Sequence, residues 1–373
     1  MHWTRRRWLL VPSLLLGAPA ARAAASDDGS DAVQPRPLVF PADFGAHPGT
    51  RTEWWYATGW LASAADAPPE FGFQVTFFRS RTDVPADHPS RFAAQQLVFA
   101  HAALTDLRAG RLRHDQRIAR AGFDIAATSA DDTRVALRGW AFERHGPPDA
   151  SRYHAHLASD SAGFVFDLDL ATTQPVLLQG EAGFSRKGPR PEQASHYYSQ
   201  PQLAVSGTLA REGKAQPVQG RAWLDHEWSD AYLAPDAVGW DWIGFNLFDG
   251  SALTAFRLRR ADGSILYAGG SLRRAGGVVR SFTPDEVSFT AERRWVSPAS
   301  RADYAVQWRI VTPAGTQRVR ALLDDQELDS RNSTGAIYWE GLSELLDERG
   351  TRVGLGYLEM TGYAAQSMGA ILK

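Results

Sequence analysis

The sequence predicts an all-β protein, an antiparallel barrel or sandwich, and two observations carry this prediction. Short apolar runs show near-alternation of apolar and polar residues and are rich in aromatic and β-branched side chains. Turn signals of the Ala-Asp-Gly, Pro-Ala-Gly and Ala-Gly-Gly kind separate these runs. The pattern is clearest in the segments EFGFQVTFFRSR, TRVALRGWAFE and DYAVQWRIVTP.

Helical signals are weak by comparison. No long segment has a period of 3.6 residues, and the best helix candidate, residues 93–104 (AAQQLVFAHAAL), fits a buried strand equally well. The sequence also has no strand, glycine-rich loop and helix in succession. A nucleotide-binding α/β fold is therefore not expected.

A weak internal repeat predicts two related barrels in tandem. Residues 53–59 (EWWYATG) precede a strand that ends in TFFRSR, and residues 239–245 (GWDWIGF) precede one that ends in AFRLR. Each copy is an aromatic first strand, a hairpin and a second strand ending in arginine. We place the boundary in the Gly-, Pro- and Arg-rich stretch near residues 205–220, which gives domains of residues 40–212 and 213–373.

The first residues predict export. Residues 4–9 (TRRRWL) fit a twin-arginine signal, an apolar run comes next, and small residues then offer cleavage sites. We expect residues 1–25 to be a signal peptide, residues 26–39 to be a polar tail, and the mature protein to be periplasmic or secreted. The apolar run is too short to span a bilayer, and we expect no transmembrane segment in the mature chain.

Composition excludes several classes of function. The chain has no cysteine, so disulfides, thiolate metal sites and cysteine nucleophiles are excluded. Its formal net charge is −2, and its basic residues, nearly all arginine, are scattered. A nucleic-acid partner is therefore not expected.

The densest polar constellation is residues 220–230 (GRAWLDHEWSD). On a strand, Asp225 and Glu227 would face one way and His226 the other. Acids beside aromatic rings in an apolar site have raised pKa values and can donate a proton at neutral pH. One interpretation is thus a general acid/base centre, and the other is a charged corner between two domains. A metal site is the weaker hypothesis, because adjacent ligands do not share a face.

Tryptophans are abundant, with 13 in the chain. Trp54 and Tyr56 should share one strand face, and Trp240 and Trp242 another, with Asp241 opposite. These rings could line an apolar pocket or simply pack a barrel core.

At these residues the sequence resembles a known family, the carotenoid 1,2-hydratases (hydroxyneurosporene synthases) and AttH-like predicted secreted hydrolases. The motifs HPGTRTEWWYATGWL, FAHAALTD, HYYSQPQLAVSGTL, GRAWLDHEWSD, GWDWIGFNLFDG, YWEG and GYLEMTGY occur in this order. The resemblance covers Phe40 to Tyr363 and implies two lipocalin-like antiparallel β-barrels in tandem.

The resemblance also implies a lipophilic small molecule as ligand and acid catalysis without a cofactor or metal. Hydration of an alkene needs a neutral acid, rings that stabilise a cation, and a positioned water. The catalytic candidates are Asp225, His226, Glu227 and Asp241. The ligand-binding candidates are Trp54, Tyr56, Tyr197, Trp228, Trp240 and Trp242.

Three functions remain open from the sequence. The first is hydration or isomerisation of a terpenoid or lipid. The second is a non-catalytic periplasmic lipid-binding role as an accessory protein of an ABC transporter that exports lipids. The third is secreted hydrolase activity. One departure bears on the first: residues 251–256 (SALTAF) contain no acid, where the resemblance predicts a Tyr/Asp pair.

Overall fold

The structure is a computed structural model that describes residues 33–364 except residues 66, 86 and 232. These residues form strands and three short 3₁₀-helices at Ala42–Phe44, Pro148–Ala150 and Pro284–Glu286, which confirms the all-β prediction. No helix in this part of the chain is long and apolar enough to cross a membrane. The predicted signal peptide, and the predicted tail up to residue 32, lie outside the described residues.

The first sheet holds thirteen strands and is nearly closed into a barrel. Its strands are β1 (Thr52–Ala62), β2 (Phe71–Arg81), β3 (Gln96–Asp106), β4 (Arg111–Arg120), β5 (Ala126–Thr128), β6 (Arg134–Leu137), β7 (Trp140–His145), β8 (Arg152–Ser159), β9 (Phe164–Ala171), β10 (Leu177–Leu178), β11 (Phe184–Arg186), β12 (Ala194–Arg211) and β13 (Lys214–Ser229). The hydrogen-bonded order is β4-β3-β2-β1-β13-β12-β9-β8-β7-β6-β5, with β10 and β11 beside β12. Arg117 of β4 helps to close the gap, because it donates to the carbonyl of Ala158 at 2.8 Å and lies over the ring of Trp140.

The second sheet holds ten strands. They are β14 (Gly239–Leu247), β15 (Ala252–Arg259), β16 (Ile265–Arg273), β17 (Val279–Phe282), β18 (Ser288–Val296), β19 (Asp303–Thr312), β20 (Gly315–Ala321), β21 (Glu327–Asp329), β22 (Ile337–Leu346) and β23 (Arg352–Met360). Their order is β17-β16-β15-β14-β23-β22-β20-β19-β18, with β21 beside β22. In both sheets the first strand pairs with the second and with the last strand of its own sheet. The two sheets thus repeat one arrangement, as the tandem-barrel prediction requires.

Burial differs between the outer strands and the strands where the sheets meet. β8 alternates between buried and more exposed positions, as a strand with one solvated face does. β14 is buried on both faces along almost its whole length. One face of β14 packs on the core of its own barrel, and the other joins an apolar cluster shared by both sheets, which includes Tyr56, Trp242 and Tyr357.

The two sheets approach each other closely at Gly72 of β2. A Cβ atom on this residue would lie 2.7 Å from the hydroxyl oxygen of Tyr357 and 2.9 Å from Cβ of Leu342. Glycine is therefore required here for the sheets to pack. A second tie is a bulge in β12, where Gln202 donates from its side chain to the carbonyls of Leu247 and Ser251 at 2.9 Å.

The structure corrects the predicted domain boundary between residues 212 and 213. Glu212 and Gly213 form the turn between β12 and β13, which both belong to the first sheet, and the chain passes to the second sheet after Ser229. The glycines that suggested a linker have another role. Gly220, for example, lies so close to the carbonyl of Trp60 in β1 that no side chain fits.

Candidate acid site between the two sheets

A pocket lies where the two sheets meet, and it encloses about 810 Å³ counting the space open to solvent. We call it the inter-sheet pocket. β1, β2, β3, β12 and β13 form one wall, and β14, β22, β23 and the segment before β22 form the other. The lining residues are Thr52, Trp54, Tyr56, Gln74, Phe78, Phe99, His101, Tyr197, Asp225, Glu227, Trp240, Trp242, Thr334, Tyr338, Glu340 and Glu359.

Alternation along β13 decides which side chains reach this pocket. Asp225 and Glu227 line it, whereas His226 and Trp228 point to the other face of the strand. The predicted separation of the two acids from His226 is therefore observed. The predicted grouping of His226 and Trp228 with the site residues is corrected, because neither residue lines the pocket.

Asp225 is held by three donors and yet keeps a high pKa. The hydroxyl of Tyr197 donates to Oδ2 at 2.9 Å, while Trp223 Nε1 donates to Oδ1 at 2.7 Å and Ser199 Oγ donates to the same oxygen. Burial raises the pKa of Asp225 to about 7, because these hydrogen bonds only partly offset the lost hydration. This carboxyl can therefore change its protonation state near neutral pH.

Glu227 is paired with one of the three lysines in the chain. Lys187 Nζ lies 2.9 Å from Glu227 Oε1, and Ser195 donates to the same oxygen. The ammonium also lies over the rings of Tyr197 and Phe256, at 4.6 and 4.5 Å from their centroids. Burial raises the pKa of Glu227, and Lys187 opposes that shift. The pair is almost completely buried.

The opposite wall carries two further acids, Glu340 and Glu359, which occupy directly paired positions on β22 and β23. Glu340 is 2 % exposed, and Gln74 donates to its Oε2 at 2.7 Å. Burial raises the pKa of Glu340 well above its ordinary value, and the charge of Glu359 raises it further. Burial also raises the pKa of Glu359, against a hydrogen bond from Trp240. Two facing carboxyls in a poorly hydrated site retain a proton, because both cannot ionise at low cost.

Aromatic rings fill the rest of the pocket. Five of the predicted ligand-binding residues line it: Trp54, Tyr56, Tyr197, Trp240 and Trp242. The rings of Tyr56 and Trp242 come from different sheets and meet edge to face at 5.6 Å between centroids. The ring faces carry partial negative charge, so an apolar or cationic group is favoured between them.

A neutral histidine lies at one side of the pocket. Burial lowers the pKa of His101 to about 3. Its Nδ1 lies 2.8 Å from the hydroxyl of Tyr338, and its Nε2 lies 2.8 Å from Ser333 Oγ. Within the described residues no carboxylate contacts this imidazole, so the serine and histidine lack the acid of a hydrolytic triad.

His226 belongs to a second buried network, the Glu53 cluster, made of Asp43, His47, Glu53, Arg79 and His226. Glu53 accepts from His226 Nε2 at 2.9 Å, His47 Nδ1 at 2.7 Å and Arg79 Nε at 2.8 Å. Burial favours protonation of Glu53, but the donors and the charge of Arg79 outweigh it, so its pKa lies below the ordinary value. Burial lowers the pKa of His226 to about 4, against its bond to Glu53. The rings of Trp228 and His47 stack with 3.7 Å between their centroids.

His47, Glu53 and His226 bring ligand atoms close enough together to hold a metal ion. Their chemistry does not fit one well. The ring nitrogens that face Glu53 already donate to its carboxylate, and Arg79 lies 2.8 Å from the other oxygen. A divalent ion would displace these hydrogen bonds and meet the guanidinium charge. The geometry fits an internal ion-pair network that joins the segment before β1 to the first sheet.

Asp241 is also outside the inter-sheet pocket, which corrects its prediction as a proton donor. It projects from the face of β14 opposite to Trp240 and Trp242. Arg257 Nε and Arg259 Nε lie 2.7 and 3.1 Å from its Oδ2, and the hydroxyl of Tyr363 donates to Oδ1. Asp241 is therefore engaged by two guanidinium groups and a phenol hydroxyl, and it does not line the inter-sheet pocket.

Glu340 and Glu359 are the acids that sequence reasoning did not single out. Both lie inside motifs that carried the family resemblance, YWEG and GYLEMTGY. Their spacing along the chain gives no sign that they face each other. The signal available in the sequence was a glutamate placed beside aromatic and apolar residues in each of these two motifs.

Comparisons with known proteins bear on the whole chain. The AttH-like family model matches residues 31–363. An AttH protein from Nitrosomonas europaea has a crystal structure that matches with a TM-score of 0.81 and 48 % identity, over 89 % of this chain and 99 % of that chain. A search of curated proteins finds none that matches.

Two more distant crystal structures share the fold. Kievitone hydratase from Nectria haematococca matches with a TM-score of 0.65 and 14 % identity, over 88 % of this chain and 93 % of its own. CghA, solved with Sch210972, matches with a TM-score of 0.51 and 12 % identity, over 85 % of this chain and 89 % of its own. At these identities the likeness concerns the fold alone.

Proposed function

The chain belongs to the AttH-like family, and from this premise we propose that it is a cofactor-free acid catalyst that protonates a carbon–carbon double bond of a lipophilic molecule. The observation that carries the proposal is the facing pair Glu340 and Glu359 in an aromatic pocket. A carboxyl that stays protonated at neutral pH is the group that alkene protonation requires.

Glu340 is the proposed proton donor. Burial and the charge of Glu359 raise its pKa well above the ordinary value, which favours its neutral form. Gln74 donates to Oε2, and the hydroxyl of Tyr56 also interacts with this carboxyl and opposes the rise of its pKa. The proton moves from Glu340 to the less substituted alkene carbon, and the π electrons form the new C–H bond.

The carbocation that results lies among Trp54, Tyr56, Trp240 and Trp242. The faces of these rings stabilise positive charge, and they exclude most of the water that would otherwise capture the cation at random. Asp225 and Glu227 lie on the wall that faces Glu340, and their ionised forms add electrostatic stabilisation as the positive charge develops.

Water then attacks the cation, and its extra proton must leave. Asp225, with a pKa of about 7, is the proposed base on the facing wall. The new C–O bond forms from a water lone pair, Asp225 accepts the proton, and exchange with solvent returns Glu340 to its acid form. The balance is one alkene and one water to one alcohol. Loss of a proton from carbon instead would give an isomerised alkene.

Kievitone hydratase is a hydratase by its name, and its shared fold supports the proposal. The carrier hypothesis uses the same pocket and needs the rings, but it gives no role to four clustered acids. The hydrolase hypothesis is weaker, because Ser195 donates to Glu227 and His101 has no acidic partner in the described part of the chain. A periplasmic location and an ABC exporter as partner remain proposals beside this one.

The test uses farnesol, squalene and lycopene, which are acyclic terpenoids with trisubstituted double bonds. Each is incubated with the purified protein in ¹⁸O-labelled water, and products are analysed by mass spectrometry. We expect at least one to yield a labelled tertiary alcohol. Glu340→Gln should lower the rate by about a hundredfold or more.

Glu348→Gln is the matched control, because Glu348 is exposed in the turn between β22 and β23. It should leave the rate unchanged. Quenching of tryptophan fluorescence reports binding separately. A terpenoid that binds but stays unlabelled, with no exchange of vinylic hydrogen in D₂O, would reject acid catalysis in favour of a carrier.

A further inference from the structure

A second cavity lies at one end of the second barrel, apart from the inter-sheet pocket. It encloses about 740 Å³ counting the space open to solvent, and it shares no lining residue with the inter-sheet pocket. We call it the Arg257 cavity. Its lining residues are Arg257, Arg259, Gly263, Phe289, Thr290, Ala291, Arg294, Trp308 and Tyr363.

Charge is unbalanced in this cavity. Arg257 and Arg259 both pair with one oxygen of Asp241, and the hydroxyl of Tyr363 takes the other oxygen. The two arginine side chains are only 12 % and 9 % exposed. Two guanidinium groups against one carboxylate leave a net positive charge in a site that water reaches poorly.

The rim adds further arginines. Arg294 is ion-paired with Asp303 at 2.8 Å, and Arg309 reaches Thr290 in the cavity wall at 3.5 Å. The lining itself contains three arginines and no acid. The acids closest to it are each paired with arginines: Asp241 with Arg257 and Arg259, and Asp303 with Arg294. The field at the cavity therefore favours an anion.

The walls are apolar and aromatic. The guanidinium of Arg257 lies 4.7 Å from the ring centroid of Trp308, and that of Arg259 lies 4.0 Å from the ring centroid of Tyr363. Trp308 is 2 % exposed, and its indole Nε1 has no hydrogen-bond partner among the described residues. A buried donor without a partner costs free energy that an accepting ligand would recover.

We propose that the Arg257 cavity binds the anionic group of an amphiphilic molecule, a carboxylate or a phosphate carried on an apolar body. The anion would balance the positive charge of Arg257 and Arg259. The apolar part of the ligand would lie against Phe289 and Trp308. This ligand differs from that of the inter-sheet pocket, whose lining has four carboxyls and no arginine. The proposal therefore does not depend on the proposed catalysis.

The test measures binding of octanoate, octyl phosphate, inorganic phosphate and octanol by isothermal titration calorimetry. We expect octanoate or octyl phosphate to bind at least about tenfold more tightly than octanol, and to weaken as salt rises. Their relative affinities identify the carboxylate or the phosphate as the preferred group. Inorganic phosphate alone should bind more weakly than the amphiphiles.

Variants separate a binding role from a structural one by the sign of their effect. Arg257→Gln should weaken octanoate binding about tenfold or more, whereas Asp241→Asn should strengthen it, because the competing carboxylate is gone. Arg331→Gln, which removes an exposed arginine elsewhere, is the matched control. Trp308→Phe keeps an aromatic ring and removes the indole N–H together with part of the ring volume, so it provides a second test if Asp241→Asn does not fold.

Equal binding of octanoate and octanol, or weaker binding in both Arg257→Gln and a folded Asp241→Asn, would overturn the proposal. Binding that is unchanged in both Arg257→Gln and Trp308→Phe would place the anion elsewhere and would overturn it as well.

Discussion

Two groups of buried acids occupy opposite faces of the same strand, β13, and they differ in protonation. Glu53, which contacts His226 of this strand, is fully buried and has a lowered pKa. Asp225, one residue before His226, is also buried and has a raised pKa. Arg79 and two histidines surround Glu53, whereas acids and aromatic rings surround Asp225. Burial alone therefore does not set the charge of an acid, and the neighbours decide it.

The same comparison distinguishes a network of acids that stabilises the fold from a pocket whose acids can take part in a reaction. The Glu53 cluster is an ion-pair network with its charges compensated, and it holds the segment before β1 against the sheet. In the inter-sheet pocket only Glu227, among the described acids, has an ion-pair partner, Lys187. The lack of a cationic partner for the other three acids costs folding free energy and favours their neutral forms. Such uncompensated groups are more common at functional sites than elsewhere.

The largest effect should come from breaking the Glu53 cluster. Arg79→Met removes the guanidinium and leaves a buried carboxylate with less compensation, so the free energy of unfolding should fall by about 3–5 kcal/mol. Urea denaturation at pH 7 measures this fall. The double variant Arg79→Met/Glu53→Leu should recover part of the loss, and failure to recover any would show that Arg79 acts through packing alone.

A matched pair of Glu→Gln changes should give a smaller and more selective effect. Glu53→Gln removes an ionised group from its partners and should cost about 2 kcal/mol or more at pH 7. Glu340→Gln replaces a group that is already neutral and should cost less than about 1 kcal/mol. Urea denaturation of both variants tests the difference, and equal losses would contradict an ionised Glu53 beside a neutral Glu340.

The smallest effect concerns pH. Folded Asp225 keeps its proton up to about pH 7, whereas the unfolded carboxyl releases it near 3.8, so the folded state binds more protons between these values. The contribution of Asp225 to stability is therefore fully present below pH 3.8 and is lost as pH rises towards 7. Asp225→Asn lacks this loss, and its stability relative to wild type should rise by more than about 1 kcal/mol from about pH 4 to about pH 8.

Denaturation of both proteins across this pH range measures that difference. A difference that does not change with pH would mean that Asp225 is already ionised at low pH. The lowered pKa of Glu53 acts with the opposite sign, because its contribution is lost as pH falls below the ordinary value of a glutamate. Glu53→Gln is therefore the control, because its stability relative to wild type should change with pH in the direction opposite to that of Asp225→Asn.

Features that depend on local alternation could be predicted from the sequence alone. The fold class, the two faces of β13, and the rings of Trp240 and Trp242 opposite Asp241 all depend on the period of a strand. Pairing between distant strands could not be predicted in this way. Glu340 and Glu359 face each other because β22 pairs with β23 in one register, and Gln74 reaches Glu340 from the other sheet.

Other errors have local physical causes. The role predicted for Asp241 failed because Arg257 sits directly opposite it on β15, a pairing that the predicted hairpin with its terminal arginines already contained. The domain boundary was misplaced because glycines needed for close strand contact resemble those of a linker. Trp228 was grouped with the pocket rings through the family resemblance, whereas its position on β13 places it in a cluster on the other face of the strand.

The position of the inter-sheet pocket has a consequence for how this protein evolves. Asp225 and Glu227 come from the first sheet and Glu340 and Glu359 from the second, so neither half carries the whole set. A single barrel, whether duplicated or separated, would retain one wall of the pocket and lack the other wall that completes it. We therefore expect substitutions on β13 to covary with those on β22 and β23 across this interface, even though each half repeats the same arrangement of strands.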